Sequence, residues 1–67
     1  SEKLNAQFRR SLYFVEDIKK GECITENNIR SIRPGFGLKP KHYEEVLGKV
    51  LLEDVERGRP VKWEVLV

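Results

Sequence analysis

The chain carries an internal repeat. Val15-Glu16-Asp17-Ile18-Lys19-Lys20-Gly21 aligns with Leu52-Glu53-Asp54-Val55-Glu56-Arg57-Gly58 at an offset of 37 residues. The match runs on through Ile24 against Val61 and Ile29 against Leu66, and back through Phe14 against Leu51 and Tyr13 against Val50. Each half has the same plan: a short apolar strand, a charged kink, a glycine turn and an apolar residue. Neither half can bury its apolar side alone, but two facing halves can. The repeat therefore predicts a pseudo-two-fold arrangement around one core. The intervening stretch, roughly 30–47, becomes an insertion between the halves, and inserted loops on a rigid scaffold are common places for function.

The length of 67 residues supports a single domain. With 39% hydrophobic and 36% charged residues, a thin core under a charged surface is expected. Residues 1–7 are polar and read as a linker end, leaving 8–67 as the domain. Leu12-Tyr13-Phe14-Val15 reads as a strand, and Val50-Leu51-Leu52 as a second. Gly21 and Gly58 mark turns. Thr25 is placed to cap a helical turn, with Asn28 where a capping box has Glu or Gln. Ile29 and Ile32 lead into Arg33-Pro34-Gly35, a strong turn signal. Pro40 suits the first position of a short helix. Tyr43, Val46 and Leu47 form its apolar face, and Gly48 ends it. The expected fold is mostly β, with short helical turns and one short α-helix.

Composition excludes several classes. Thirteen Lys and Arg against eleven Asp and Glu give a net charge of +2, short of the basic footprint of nucleic-acid binders. No apolar run approaches the ~20 residues of a membrane span, and no signal peptide is visible. The absence of methionine suggests a fragment or processed piece. Cys23 is the one cysteine, so no internal disulfide can form. It reads as a small buried or half-buried apolar residue, and a reduced, cytoplasmic setting fits it.

No catalytic set stands out, and no metal site is expected: one His and one Cys, His42 and Cys23, are a poor start for a ligand cluster. Glu44-Glu45 and Glu53-Asp54 are sequence neighbours and do not face each other as catalytic pairs do. Phe8, Tyr13, Phe14, Tyr43 and Trp63 lack the spacing of a base-stacking platform. Phe14 and Tyr43 read as core, Trp63 as core or partner-facing. The charge pattern says more. No acid occurs between Glu26 and Glu44, whereas Arg30, Arg33, Lys39, Lys41 and His42 do. This window is either a solvated basic loop or a loop aimed at an anionic or acyl-rich ligand or an acidic partner. Within it, Pro34, Gly35 and Gly37 constrain the backbone around Arg33 and Phe36. Arg33 offers a planar donor fork. Phe36 either caps a ligand or partner surface or tucks onto the core. Arg33, Gly35 and Phe36 are the candidate ligand-binding residues.

Several segments then resemble a known module: Arg9-Arg10-Ser11-Leu12, Glu16-Asp17-Ile18-Lys19-Lys20-Gly21-Glu22, Thr25-Glu26-Asn27-Asn28-Ile29, Arg33-Pro34-Gly35-Phe36-Gly37 and Leu47-Gly48-Lys49. In this order they resemble the C-terminal antifreeze-like SAF domain of bacterial sialic acid synthases, over about 8–66. The resemblance implies the SAF, or β-clip, fold shared with type III antifreeze proteins. It also implies a parent with a catalytic (β/α)-barrel that condenses phosphoenolpyruvate with an N-acetylated amino sugar. A divalent metal, Mn or Mg, would sit in that barrel, with no cofactor in this domain. The SAF domain would cross to the barrel of the partner subunit in a homodimer, where Arg33 looks like the residue that contacts the acyl group of the sugar. Phe36-Gly37-Leu38 looks more like the pseudaminic acid branch than the N-acetylneuraminate branch. The alternative is an antifreeze-like or other ligand-binding module without a synthase role. Ice binding asks for a flat, nearly uncharged face, and Asp17, Lys20 and Glu22 work against it.

Overall fold

A computed structural model describes residues 9–67, so the proposed linker end and Phe8 lie outside the described residues. Strand β1 (Ser11–Phe14) pairs antiparallel with β2 (Ile29–Ile32), Ser11 opposite Ile32 and Phe14 opposite Ile29. A 3₁₀ turn, Pro40–His42, leads into one α-helical turn, α1 (Tyr43–Val46), and a second 3₁₀ turn spans Trp63–Val65. The expected helix is thus present with a tighter first turn. Lys39 makes no side-chain cap. Val46 is buried on the expected face, and Tyr43 and Leu47 pack partly buried against the core. Gly48 leaves the helix at φ +85°, a conformation that side chains with a Cβ resist.

The repeat is realised as reciprocal backbone bonds between the halves. Ile18 and Val55 exchange both of theirs, Ile18 N–H to Val55 carbonyl at 2.9 Å and the return at 2.8 Å. Gly21 N–H donates to the Leu51 carbonyl at 2.9 Å, and Gly58 N–H donates to that of Phe14 at 2.7 Å. Ile24 donates to Lys49 and Val61 to Leu12, each at 2.9 Å. Asp17 Oδ1 accepts from Arg57 N–H and Asp54 Oδ1 from Lys20 N–H, both at 2.8 Å. Every one of these pairs is interchanged by the offset of 37, and the turn glycines match at φ +91° and +93°. The two aspartates of the charged kinks, Asp17 and Asp54, are therefore structural: each reaches across to tie down the other half's turn.

The core fills the space between the halves with Leu12, Phe14, Ile18, Ile24 and Ile29 from the first and Leu51, Val55, Val61, Val65 and Leu66 from the second, with Val46 added by α1. Every buried side-chain N or O among the described residues has a hydrogen-bond partner. Asn28, 7% exposed, accepts the Thr25 N–H at 2.9 Å, the reciprocal half of a capping box at shorter reach.

Three expectations need correction. Ile29–Ile32 is a strand and not merely a lead-in to the Pro-Gly turn, so the insertion proper begins after Ile32. Val50-Leu51-Leu52 forms isolated bridges, Val50 to Cys23 and Leu51 to Leu66, and not a strand. The facing chain turns at Trp63–Val65, and what pairs there is the Val65 carbonyl with the Leu52 N–H at 2.8 Å and the Val67 N–H with the Val50 carbonyl at 3.0 Å. Cys23 is exposed. Adjacent residues in extended chain point to opposite faces, and Ile24 takes the core side at 1% exposure.

Candidate functional site

The loop 33–38 leaves β2 and returns to the body of the domain within a few residues. Its anchor is Ser11, 1% exposed at the start of β1. The Ser11 hydroxyl donates to the Pro34 carbonyl at 2.9 Å and accepts the Gly37 N–H at 3.0 Å. One buried hydroxyl thus holds both ends of the loop's tip. Leu38 completes the anchor: its N–H donates to the Val61 carbonyl, and its carbonyl accepts from Leu12 N–H, both at 2.9 Å. The Arg33–Pro34 peptide is cis.

Gly37 is required by close approach. A Cβ there would overlap the Leu12 carbonyl oxygen and lie 3.1 and 3.2 Å from the Val61 backbone N and O. These atoms belong to the backbone that joins the two halves and cannot swing aside. From the sequence Gly37 is expected to constrain the loop backbone, and the structure adds that it is needed for packing. Ser11 was absent from the candidate residues. A lone serine between Arg10 and an apolar strand carries no local signal of its partners more than 20 residues away.

The loop presents three candidates in different ways. Phe36 is 54% exposed, so it does not tuck onto the core. Arg33 is exposed, and Gly35 is half-buried between Pro34 and Phe36. Ile32, 42% exposed, adds apolar surface at the end of β2. Arg33 and Phe36 thus share one short, well-anchored loop with a donor fork and an apolar ring. Arg30, from the same basic window, lies elsewhere, beside Val15, Glu16, Asn27 and Arg57.

The other candidate groups do not join this loop. His42 Nδ1 lies 2.8 Å from Glu45 Oε1, and its ring meets Trp63 edge-on with centroids 5.3 Å apart. Trp63 is 42% exposed and so belongs at the surface and not in the core. No group of three or more His, Cys, Asp or Glu side chains among the described residues could hold a metal ion. No helix among them is long and apolar enough to cross a membrane.

Comparison with known proteins agrees with this architecture. The SAF domain family matches residues 9–67. The chain is 53% identical over 58 residues to a pseudaminic acid synthase of Campylobacter jejuni, covering 87% of this chain and 17% of that protein. It is 46% identical to the pseudaminic acid synthase of Helicobacter pylori over 81% of this chain and 16% of that one. The chain thus spans about a sixth of the length of the curated relatives it matches. Among solved structures, a Bacillus subtilis spore coat polysaccharide biosynthesis protein superposes with a TM-score of 0.84 at 28% identity, over 100% of this chain and 20% of that one. The antifreeze protein like domain of human N-acetylneuraminic acid phosphate synthase superposes at 0.79, over 85% of this chain and 73% of that one. At 21% identity, this second likeness speaks for the fold alone. Repeat, fold and family match coincide over the described residues, and the chain belongs to the SAF domain family.

Proposed function

We propose that this chain is the substrate-binding C-terminal domain of a cytoplasmic sialic-acid-type synthase, most akin to the pseudaminic acid branch. The parent condenses phosphoenolpyruvate with an N-acetylated amino sugar on a (β/α)-barrel, and this domain closes over the barrel of the partner subunit in a homodimer. The divalent metal of that chemistry belongs to the barrel. The domain's part is to bind and orient the sugar. Arg33 donates a charge-assisted hydrogen bond to the acyl oxygen, Phe36 covers an apolar face of the sugar, and Gly35 permits the turn between them.

The observation that carries this reading is the anchored loop: Ser11 and Gly37 hold it from beneath while Arg33 and Phe36 stay exposed. A loop already held in place loses little entropy when it closes on a ligand. The relatives named as pseudaminic acid synthases support the choice of branch. The antifreeze alternative is disfavoured by the surface itself, because Asp17, Lys20 and Glu22 are all exposed.

The test is Arg33→Ala in the full-length synthase. A charged hydrogen bond contributes about 1.5–3 kcal/mol, so kcat/KM for the sugar should fall roughly ten- to a hundredfold. The phosphoenolpyruvate parameters and the melting curve should change little. Arg33→Lys should rescue poorly, since an ammonium lacks the planar fork. Wild-type efficiency toward the sugar in Arg33→Ala would leave the loop a solvated one.

A further inference from the structure

Four cations from two separate parts of the chain line one shallow cleft. Arg9 and Arg10 precede β1, Lys39 and Lys41 flank Pro40, and these five form the lining among the described residues. All four cations are exposed. Among the described residues, no acid lines the cleft and none of the four is paired with an acid. Glu45, close by in sequence, is engaged with His42 at 2.8 Å. With eleven acids and thirteen Lys and Arg on 67 residues, interspersed signs are the ordinary arrangement of such a surface. Here like charges are gathered instead.

The fold does the gathering. The Leu12 N–H to Leu38 carbonyl bond, 2.9 Å long, sets the two segments side by side just inside Arg10 and Lys39. The 3₁₀ turn then holds Lys41 close, with the His42 N–H on the Lys39 carbonyl at 3.0 Å.

We propose that this cleft binds a small oxyanion carrying two or more negative charges, separately from the Arg33 loop. The two guanidinium groups suit the paired oxygens of a phosphate or carboxylate, and the lysines add point charge. A bound polyanion would also relieve the repulsion among the four cations. The proposal does not depend on the sugar-clamp reading, since it uses neither Arg33 nor Phe36.

The test uses the ¹⁵N-labelled 67-residue chain, titrated with pyrophosphate and separately with citrate at matched ionic strength. Saturable shifts should appear at the amides of Arg10, Lys39 and Lys41, and not at Lys19, Lys20 or Lys62. Saturation by pyrophosphate alone identifies a phosphate site, by citrate alone a carboxylate site, and by both a site that reads charge. The double substitution Arg10→Gln/Lys39→Gln should weaken binding about tenfold or more. Lys41→Gln, a single exposed change, serves if the double variant loses its dispersed spectrum. Non-saturating shifts spread over all the lysines, or affinity unchanged in a folded variant, would overturn the proposal.

Discussion

Replacing Ser11 by alanine tests the connection between the buried strand and the exposed loop. The hydroxyl is 1% exposed and makes two hydrogen bonds, to the Pro34 carbonyl and from the Gly37 N–H. Alanine removes both and leaves a half-buried carbonyl and amide facing a methyl group. At about 0.5–1.5 kcal/mol per bond, the loss is about 2 kcal/mol. In a domain of this size each kcal/mol moves Tm by about 4–8 °C, so a fall of roughly 10 °C is expected by circular dichroism. The effect should also be local, because the lost partners belong to the loop. Hydrogen exchange at the Gly37 amide should accelerate more than at the Ile18 and Val55 amides across the pseudo-two-fold. Ser31→Ala, half-buried on the neighbouring strand, provides a control expected within about 0.5 kcal/mol of wild type. If Ser11→Ala melts within about 2 °C of wild type and Gly37 keeps its protection, Ser11 is not the loop's anchor.

Gly37→Ala should destabilise by more than Ser11→Ala, because its Cβ would meet the Leu12 and Val61 backbone; chemical denaturation measures the difference. Asp17→Asn and Asp54→Asn should shift Tm by closely similar amounts, since each carboxylate accepts one turn amide at 2.8 Å from the opposite half. Markedly unequal shifts would show that the two halves are not energetically equivalent. The 67-residue chain alone should show no turnover with phosphoenolpyruvate and amino sugars, and measurable turnover by a clean preparation would contradict the assignment of catalysis to the barrel.

The duplicated plan was legible from residue identity because each half repeats a local pattern: apolar residues, acid, glycine, apolar residue. Gly21 and Gly58 could be recognised as turns, and Asp17 and Asp54 as equivalents, without knowing what they touch. The Pro40 to Gly48 helix was legible for the same reason, since caps and apolar spacing act over a few residues. Arg33 and Phe36 stood out through the Pro and Gly around them. The features that hold them depend on residues far apart in the chain. Ser11 reaches Pro34 and Gly37, Gly37 lies against Leu12 and Val61, and Arg9 and Arg10 meet Lys39 and Lys41. Cys23 shows the same limit on a smaller scale: its apolar character favours burial, but strand alternation awarded the core side to Ile24. Local pattern determines which elements can form, because propensity, capping and turn chemistry are short-range. Which face is buried, which serine anchors a loop and which cations share a cleft are settled only when distant backbone segments hydrogen-bond.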